Sequence, residues 1–467
     1  MIRRLFRLAG QVSYRQLLRS PRSELGRIIG WIARRMGRVA DVAAHGNPQM
    51  PVWLREETIA LAHIEPSLLS EYGDLRQYRH YGVPVIPRPG ELYQELLQKV
   101  GSNRYSHVMI LPWLVPGGAD RGAIYHLNAW AEVVPAEKIL VLTTEPNDSP
   151  WAEKIPAGVK MVEFGRLAGE MNFDTQVQLM VRLLVQMQPE VIHNINSRVA
   201  WQCIKVAGLA LRQRSALFAS LFCDDYDLNL VPVGYARSYL RDCFTHMQTI
   251  FCDNSVYPRR WSRELGVSES VFSVLPFPYD REWEERPLLP GSASRPRVLW
   301  AGRLDRQKRP DILAAIASEL PEFDFDVHGV AVVSGGDPAL QTLGRLANVH
   351  MHGSFKRLED VVQAAHFAYL HTSAWEGVPT ILFDVAAAGL PIVAPNVGGI
   401  PDFIEEEWLV ADYADVKSHV AKLKALSESP ELRQERTSAQ YAQLCNGRSW
   451  TAFTERLSGV ARYMSVQ

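Results

Sequence analysis

The sequence predicts an α/β protein with two Rossmann-like, doubly wound domains facing a central cleft, behind a basic helical N-terminal extension. Three observations predict it. From residue 107 onward, short apolar runs alternate with helical patterns, as in parallel sheets covered by helices on both faces. The runs fall into two series, separated by the Pro/Gly/Ser-rich stretch PLLPGSASRPR at 287–297, which reads as a linker. The length of 467 residues is more than one core normally supports.

The elements follow in order. Residues 1–45 hold ten arginines against Glu24 and Asp41, in a chain whose formal net charge is −1. In SELGRIIGWIARRMGRVADVA, Ser23 suits an N-cap, and Leu25, Ile28, Ile29, Ile32, Met36 and Val39 share one side. Such a basic amphipathic helix fits an anionic membrane surface; packing on its own protein or a partner fits the same pattern. Residues 46–105 mix Pro, Tyr and charge, with a helical piece near PGELYQELLQKV, and carry no chemistry that can be assigned. The first domain, 106–286, takes strands at 107–111, 138–144, 190–196, 216–222, 249–255 and 272–277. The second, 296–445, takes strands at 297–302, 323–330, 349–354, 367–373 and 391–395, with a short one at 408–410. The end, 446–467, reads as a helix with Trp450, Phe453, Leu457 and Val460 on one side.

Composition narrows the function. Apolar content of 47% and charged content of 22% are those of a soluble globular protein, and the near-neutral balance carries no nucleic-acid signature. The five cysteines show no metal-like spacing, which fits reduced thiols in a cytosolic protein. No apolar run reaches the ~18 residues of a spanning helix, and the basic start lacks the apolar core of a signal peptide. The expected location is cytoplasmic, peripheral on the membrane through residues 1–45.

Chemistry concentrates in two stretches of the second domain. In WAGRLDRQKRPDIL, 300–313, a strand ends at Gly302 and a helix is expected from Pro310, which suits the first helical position. Arg303, Arg306, Lys308 and Arg309 crowd the loop against Asp305 alone. Cations at the carboxyl end of a parallel strand, beside a helix N-terminus, suit a diphosphate; a solvated loop has the same composition. In AWEGVPTILFDVAAAGLP, 374–391, a helix is expected over 378–388 with Pro379 at its first position and Gly389 ending it. Gly377 allows close backbone approach, and the N–H groups that follow, from Val378 onward, favour an anion. Glu376 sits just before this turn, and Asp384 lies about five residues into the helix, about 7.5 Å along its axis. They could flank a diphosphate, each holding a hydroxylated group, as the parts of a nucleotide-sugar require. A turn acid and a helix acid answering a buried donor are the other reading.

The first domain gives weaker signals. Gly117-Gly118 follow the first strand and face a ligand or simply make a turn. His193, Asn194, Asn196, Asp224 and Asp225 end consecutive strands and are candidates for the acceptor side of the cleft. Asp225-Tyr226-Asp227 spells a pattern that can hold a divalent metal, though acids capping a loop are commoner, and no metal is expected.

The order and spacing of the glycine pair, GRLDRQKRP, E-G-x-P-x4-D-x4-G-x-P-I-V-A and the later Gly398-Gly399 resemble the family 4 glycosyltransferases of the GT-B fold, over roughly 107–467. The resemblance implies retaining transfer of a sugar from a nucleotide-diphosphate sugar, which is a co-substrate rather than a cofactor. The acceptor would be a glycan or lipid-linked glycan, as in bacterial surface polysaccharide or lipopolysaccharide assembly. It puts Arg303 and Lys308 on the diphosphate, Glu376 on the donor-sugar hydroxyls, Asp384 on the ribose and Gly117-Gly118 against diphosphate and sugar, with Glu376, Arg303 and Lys308 as the catalytic set. It also implies a last helix that crosses back to the first domain. Two positions depart from the family pattern. Asp384 stands where a glutamate is usual, and Cys223, Asp224 and Asp225 stand where many relatives have a histidine. A nucleotide-sugar epimerase and a non-catalytic membrane-associated scaffold share this fold and are the competing readings.

Overall fold

The computed structural model describes residues 88–279, 295–331 and 338–464, together with a few positions between 56 and 64. The basic segment 1–45, most of 46–87 and most of the linker lie outside the described residues. The chain divides into two compact units, Met1–Ile86 and Pro87–Gln467, and both sheets belong to the second.

The first sheet has seven parallel strands: β1 (His107–Leu111), β2 (Ile139–Thr143), β3 (Lys160–Val162), β4 (Val191–Ile195), β5 (Ala216–Ser220), β6 (Thr249–Cys252) and β7 (Phe272–Val274), in the order β3-β2-β1-β4-β5-β6-β7. All of β1, β2, β4 and β5 is buried, so these strands are apolar on both faces rather than alternating. Met109, Leu111 and Val141 face one core, and Val108, Ile110, Leu140 and Leu142 the other. The edge strand β3 and a small antiparallel hairpin, Asp225–Tyr226 with Pro232–Val233, were not foreseen; three and two residues are too few to carry a pattern. The helix Arg88–Val100 buries Leu92, Tyr93, Leu96 and Val100 in the second of these cores. It belongs to the first domain, so that domain begins near residue 88 and not at 106.

The second sheet has five parallel strands: β8 (Arg297–Ala301), β9 (Asp324–His328), β10 (Val349–Gly353), β11 (His366–Leu370) and β12 (Ile392–Val393), in the order β10-β9-β8-β11-β12. The expected strand at 408–410 is reduced to one isolated bridge, Pro395 with Val410. In both sheets the strand order reverses beside the first strand, between β1 and β4 and between β8 and β11. In open α/β sheets ligands bind outside the carboxyl ends at such switch points.

The last helix, Trp450–Ser458, returns to the first domain. Trp450 Nε1 donates to Glu132 at 2.6 Å, and Phe453 packs edge-on against Tyr125 and His126. Beyond it, Tyr463 is fully buried, its hydroxyl 2.7 Å from both His193 Nδ1 and His126 Nδ1.

Candidate active site

The two loops at the second switch point, after β8 and after β11, form one constellation. In the first, the helix begins at Pro310 as expected and runs to Glu319. Asp305 organises the loop: Oδ1 accepts the Lys308 backbone N–H at 3.0 Å and Oδ2 accepts Arg303 Nε at 2.8 Å. The Arg303 side chain remains 59% exposed. Lys308 turns inward, with Nζ ion-paired to Glu376 Oε1. Gln307, which sequence reasoning passed over, ties the loops together. Its side-chain amide donates to the Trp375 carbonyl at 2.8 Å and lies 3.4 Å from Glu376 Oε2, while its backbone carbonyl accepts the Ala374 N–H at 2.9 Å.

Glu376 is buried, with 7% exposure. Burial would raise its carboxyl, but Lys308 and His371, whose Nε2 lies 3.4 Å away, outweigh burial and hold it at about 2. It is therefore a fixed carboxylate, an acceptor for hydroxyl donors. The turn that presents it depends on Gly398. That residue has φ +53, and a Cβ there would fall 1.8 Å from the Glu376 carbonyl oxygen, so only glycine fits.

The helix carrying the second acid is shorter than expected. It spans Ile381–Ala387 with Thr380 at its N-cap, which leaves Pro379 in the turn and makes Asp384 its fourth residue; Gly389, at φ +74, follows its end as expected. Asp384 is buried and does not await a ligand for its counter-charge. Arg121, from the first-domain helix Gly118–Val133, brings Nη1 and Nη2 to 3.3 and 3.4 Å of Asp384 Oδ2. The glycine pair lies beside this contact, where a Cβ built on Gly118 would be 3.7 Å from Thr380 Oγ1. The Val378 N–H, expected to favour an anion, is taken by the first domain's Asp253, whose Oδ2 accepts it at 2.8 Å. Asp253 also packs against Gly377, where a Cβ would come within 2.9 Å of its carboxylate. Burial pushes Asp253 up to about 7, against the Val378 and Asn254 donors that favour the charged form.

The acceptor-side candidates separate. His193 does not reach the cleft. It is fully buried, held by Tyr463 and by Ser220 Oγ at 2.9 Å, and burial keeps it neutral. Asp224 is fully buried too, accepting Arg237 Nε at 3.0 Å and Trp261 Nε1 at 2.8 Å, so it fastens the first domain internally. Asn194 is spent on the turn after β4, its Oδ1 accepting the Ser197 N–H at 3.0 Å. Asn196, at φ +56, is partly exposed in the same turn, and Asp225 is exposed on the hairpin. Asp227 Oδ1 caps that hairpin through the N–H groups of Asn229 and Val231. Among the described residues, no three His, Cys, Asp or Glu side chains gather as metal ligands. The hairpin closes one side of the cleft, since Arg306 donates to the Tyr226 and Asp227 carbonyls and the Tyr226 and Trp375 rings lie 5.1 Å apart.

Two sheets of this topology, facing one another with cations and acids at the second switch point, match known structures over most of the chain. An apo lipopolysaccharide outer core galactosyltransferase, WaaB, aligns with a TM-score of 0.57 at 15% identity, over 76% of this chain and 98% of the other. Alr3699/HepE from Anabaena, solved with UDP and glucose, aligns with a TM-score of 0.58 at 15% identity, over 75% and 98%. The fold is GT-B. Residues 295–429, which contain both site loops, match the family model for glycosyl transferases group 1. Curated relatives align more weakly. The GPI3 subunit of phosphatidylinositol N-acetylglucosaminyltransferase from Saccharomyces cerevisiae is 22% identical over 63% of this chain and 68% of its own length. The GDP-mannose-dependent alpha-(1-6)-phosphatidylinositol monomannoside mannosyltransferase of Mycobacterium tuberculosis is 26% identical over 46% and 61%. Spore coat protein SA of Bacillus subtilis is 27% identical over 35% of this chain and about half, 48%, of its own length. Among the described residues, no helix of this GT-B chain is long and apolar enough to cross a membrane.

Proposed function

We propose that the protein is a retaining glycosyltransferase, moving a sugar from a nucleotide-diphosphate sugar to a glycan or lipid-linked acceptor. The observation that carries this is the Lys308–Glu376 pair at the second switch point, beside Arg303 and the start of the helix at Pro310. Breaking the sugar–phosphate bond leaves negative charge on the diphosphate. Lys308, Arg303 and the helix N-terminus supply fixed positive potential at that position, which is electrostatic catalysis. Side chains thus take the neutralising role, without a required metal. Glu376, kept as a carboxylate, accepts donor-sugar hydroxyls and fixes the sugar. A double displacement needs a second carboxylate as nucleophile. The candidate acids nearest the turn, Asp253 and Asp384, are each engaged in other contacts, which favours same-face attack with the leaving phosphate taking the acceptor's proton.

Relatives named for phosphatidylinositol and lipopolysaccharide substrates support a lipid-linked acceptor, reached from the cytoplasmic face, with the arginines of residues 1–45 on anionic lipid. A melting screen of nucleotide-sugars tests the donor reading, because a bound donor raises apparent stability by mass action. The sugar that stabilises is then used in a transfer assay whose product anomer is read by NMR. Stabilisation by no nucleotide-sugar overturns the donor reading, and an inverted anomer overturns the retaining mechanism.

A further inference from the structure

Arg121 is not among the residues that the sequence motifs assign, yet it pairs with Asp384 across the two domains. It is the fourth residue of the helix Gly118–Val133, at the cleft-facing end, and its side chain crosses from the first domain to the second. The Asp384 side chain is 8% exposed and that of Arg121 is 24% exposed, so the pair is largely removed from water. A carboxylate among Leu382, Phe383, Val385 and Ala386 requires a counter-charge. Here that charge comes from the facing domain.

Resting on the donor reading above, we propose that Arg121 is a positioning residue for the donor's ribose. It holds the carboxylate of Asp384 in place, so that an acid one methylene shorter than glutamate serves the ribose hydroxyls. The chemistry allows both partners at once. A carboxylate accepts about four hydrogen bonds, more than the two that Arg121 Nη1 and Nη2 direct at Oδ2. The loops that carry the pair approach closely at Gly118, where an added Cβ would already touch Thr380, 3.7 Å from its Oγ1. Because the two members sit on different domains, ribose binding is also tied to the closed arrangement of the cleft. Opening the domains withdraws the guanidinium from the acid.

The test uses the full chain and titration calorimetry with UDP and GDP, each beside its 2′-deoxy and 3′-deoxy forms. Wild type is expected to favour a ribonucleotide over a deoxy form by about tenfold, the worth of one charge-assisted hydrogen bond. In Arg121→Ala and Arg121→Gln this ratio falls toward one, Arg121→Lys keeps part of it, and Asp384→Ala reproduces the loss. Arg121→Ala combined with Asp384→Ala loses no further discrimination. In turnover, donor KM rises more than kcat falls. A purely structural role would move the melting temperature and leave the ribo/deoxy ratio intact, and that result overturns the proposal. Equal weakening of ribo and deoxy forms also overturns it, because it places Arg121 on the diphosphate. Wild type that binds neither diphosphate removes the donor reading itself, an outcome distinct from failure of Arg121 alone.

Discussion

At the residue scale, the site is a set of buried charges whose partners are supplied by the opposing loop or domain. Lys308 is ion-paired with buried Glu376, so its removal acts on the fold as well as on the donor site. Lys308→Ala leaves a carboxylate in a site with 7% exposure and without its cation, a loss of about 3–5 kcal/mol by analogy with broken buried pairs. Both activity and denaturation midpoint should fall, and an unchanged midpoint would show that solvent reaches Glu376. Glu376→Gln keeps the shape and removes the charge. It is expected to lower kcat by more than it raises donor KM, as for an interaction strengthened in the transition state; an unaltered kcat refutes that role. Asp253 gives a pH signature. Its folded value, about 7, lies above the ~3.9 of an unfolded aspartate. The folded state therefore holds the extra proton between these values, and stability from this group is full below about 4 and lost as pH rises through 7. Asp253→Asn should flatten the melting temperature over that window. A slope identical to wild type would mean that Asp253 is already ionised in the fold.

At the element scale, what the sequence made legible follows from pattern length. β1, β2, β4, β5 and β11 are buried runs of five residues, long enough to read, and the order of loop, helix and glycine signals located both site loops. β3 and the hairpin are too short for any period. The early start of the first domain was hidden because Leu92, Tyr93 and Leu96 meet their core only in three dimensions. Asp384 was legible as an anomaly, whereas its partner Arg121, 263 positions away, leaves no trace in spacing. His193 and Asp224 were misread for a related reason. Strand ends do point at the cleft, but Tyr463 and Arg237, which bury them, come from elsewhere in the chain. Gly398-Gly399 carried the family resemblance, and the structure supplies the reason. Gly398 presses on the Glu376 turn, and a Cβ on Gly399 would sit 2.4 Å from Asn254 Cβ. Gly398→Ala adds a left-handed strain of about 1–2 kcal/mol to a backbone clash. It should displace Glu376, so that activity falls far more than circular dichroism changes. Full activity in that variant would show that the turn adapts.

At the scale of the whole molecule, the domains of the two sheets are joined, among the described residues, by contacts at the cleft and along the returning C-terminal segment. Asp253 meets Val378, Arg121 meets Asp384, Ser255 meets Asp402 and Arg306 meets the hairpin carbonyls. On the proposed donor reading, Val378 and Asp384 are groups that a donor also approaches, so ligand binding and domain opening would draw on the same bonds. The returning segment is different, because its anchor is remote from the donor loops. Tyr463 joins His193 on β4 to His126 on the helix Gly118–Val133, and burial holds both imidazoles neutral. One imidazole must therefore donate to the hydroxyl while the other accepts from it. Tyr463→Phe keeps the ring, its edge contacts with Phe218 and Phe251 and the apolar packing, but strands two buried ring nitrogens. An unsatisfied buried group costs about 1–3 kcal/mol, so the denaturation midpoint should drop measurably. Donor KM should hold, because the network does not touch Lys308, Glu376 or Asp384. If Tyr463→Phe raised donor KM with no loss of stability, the C-terminal segment would be setting the cleft geometry rather than fastening the first domain.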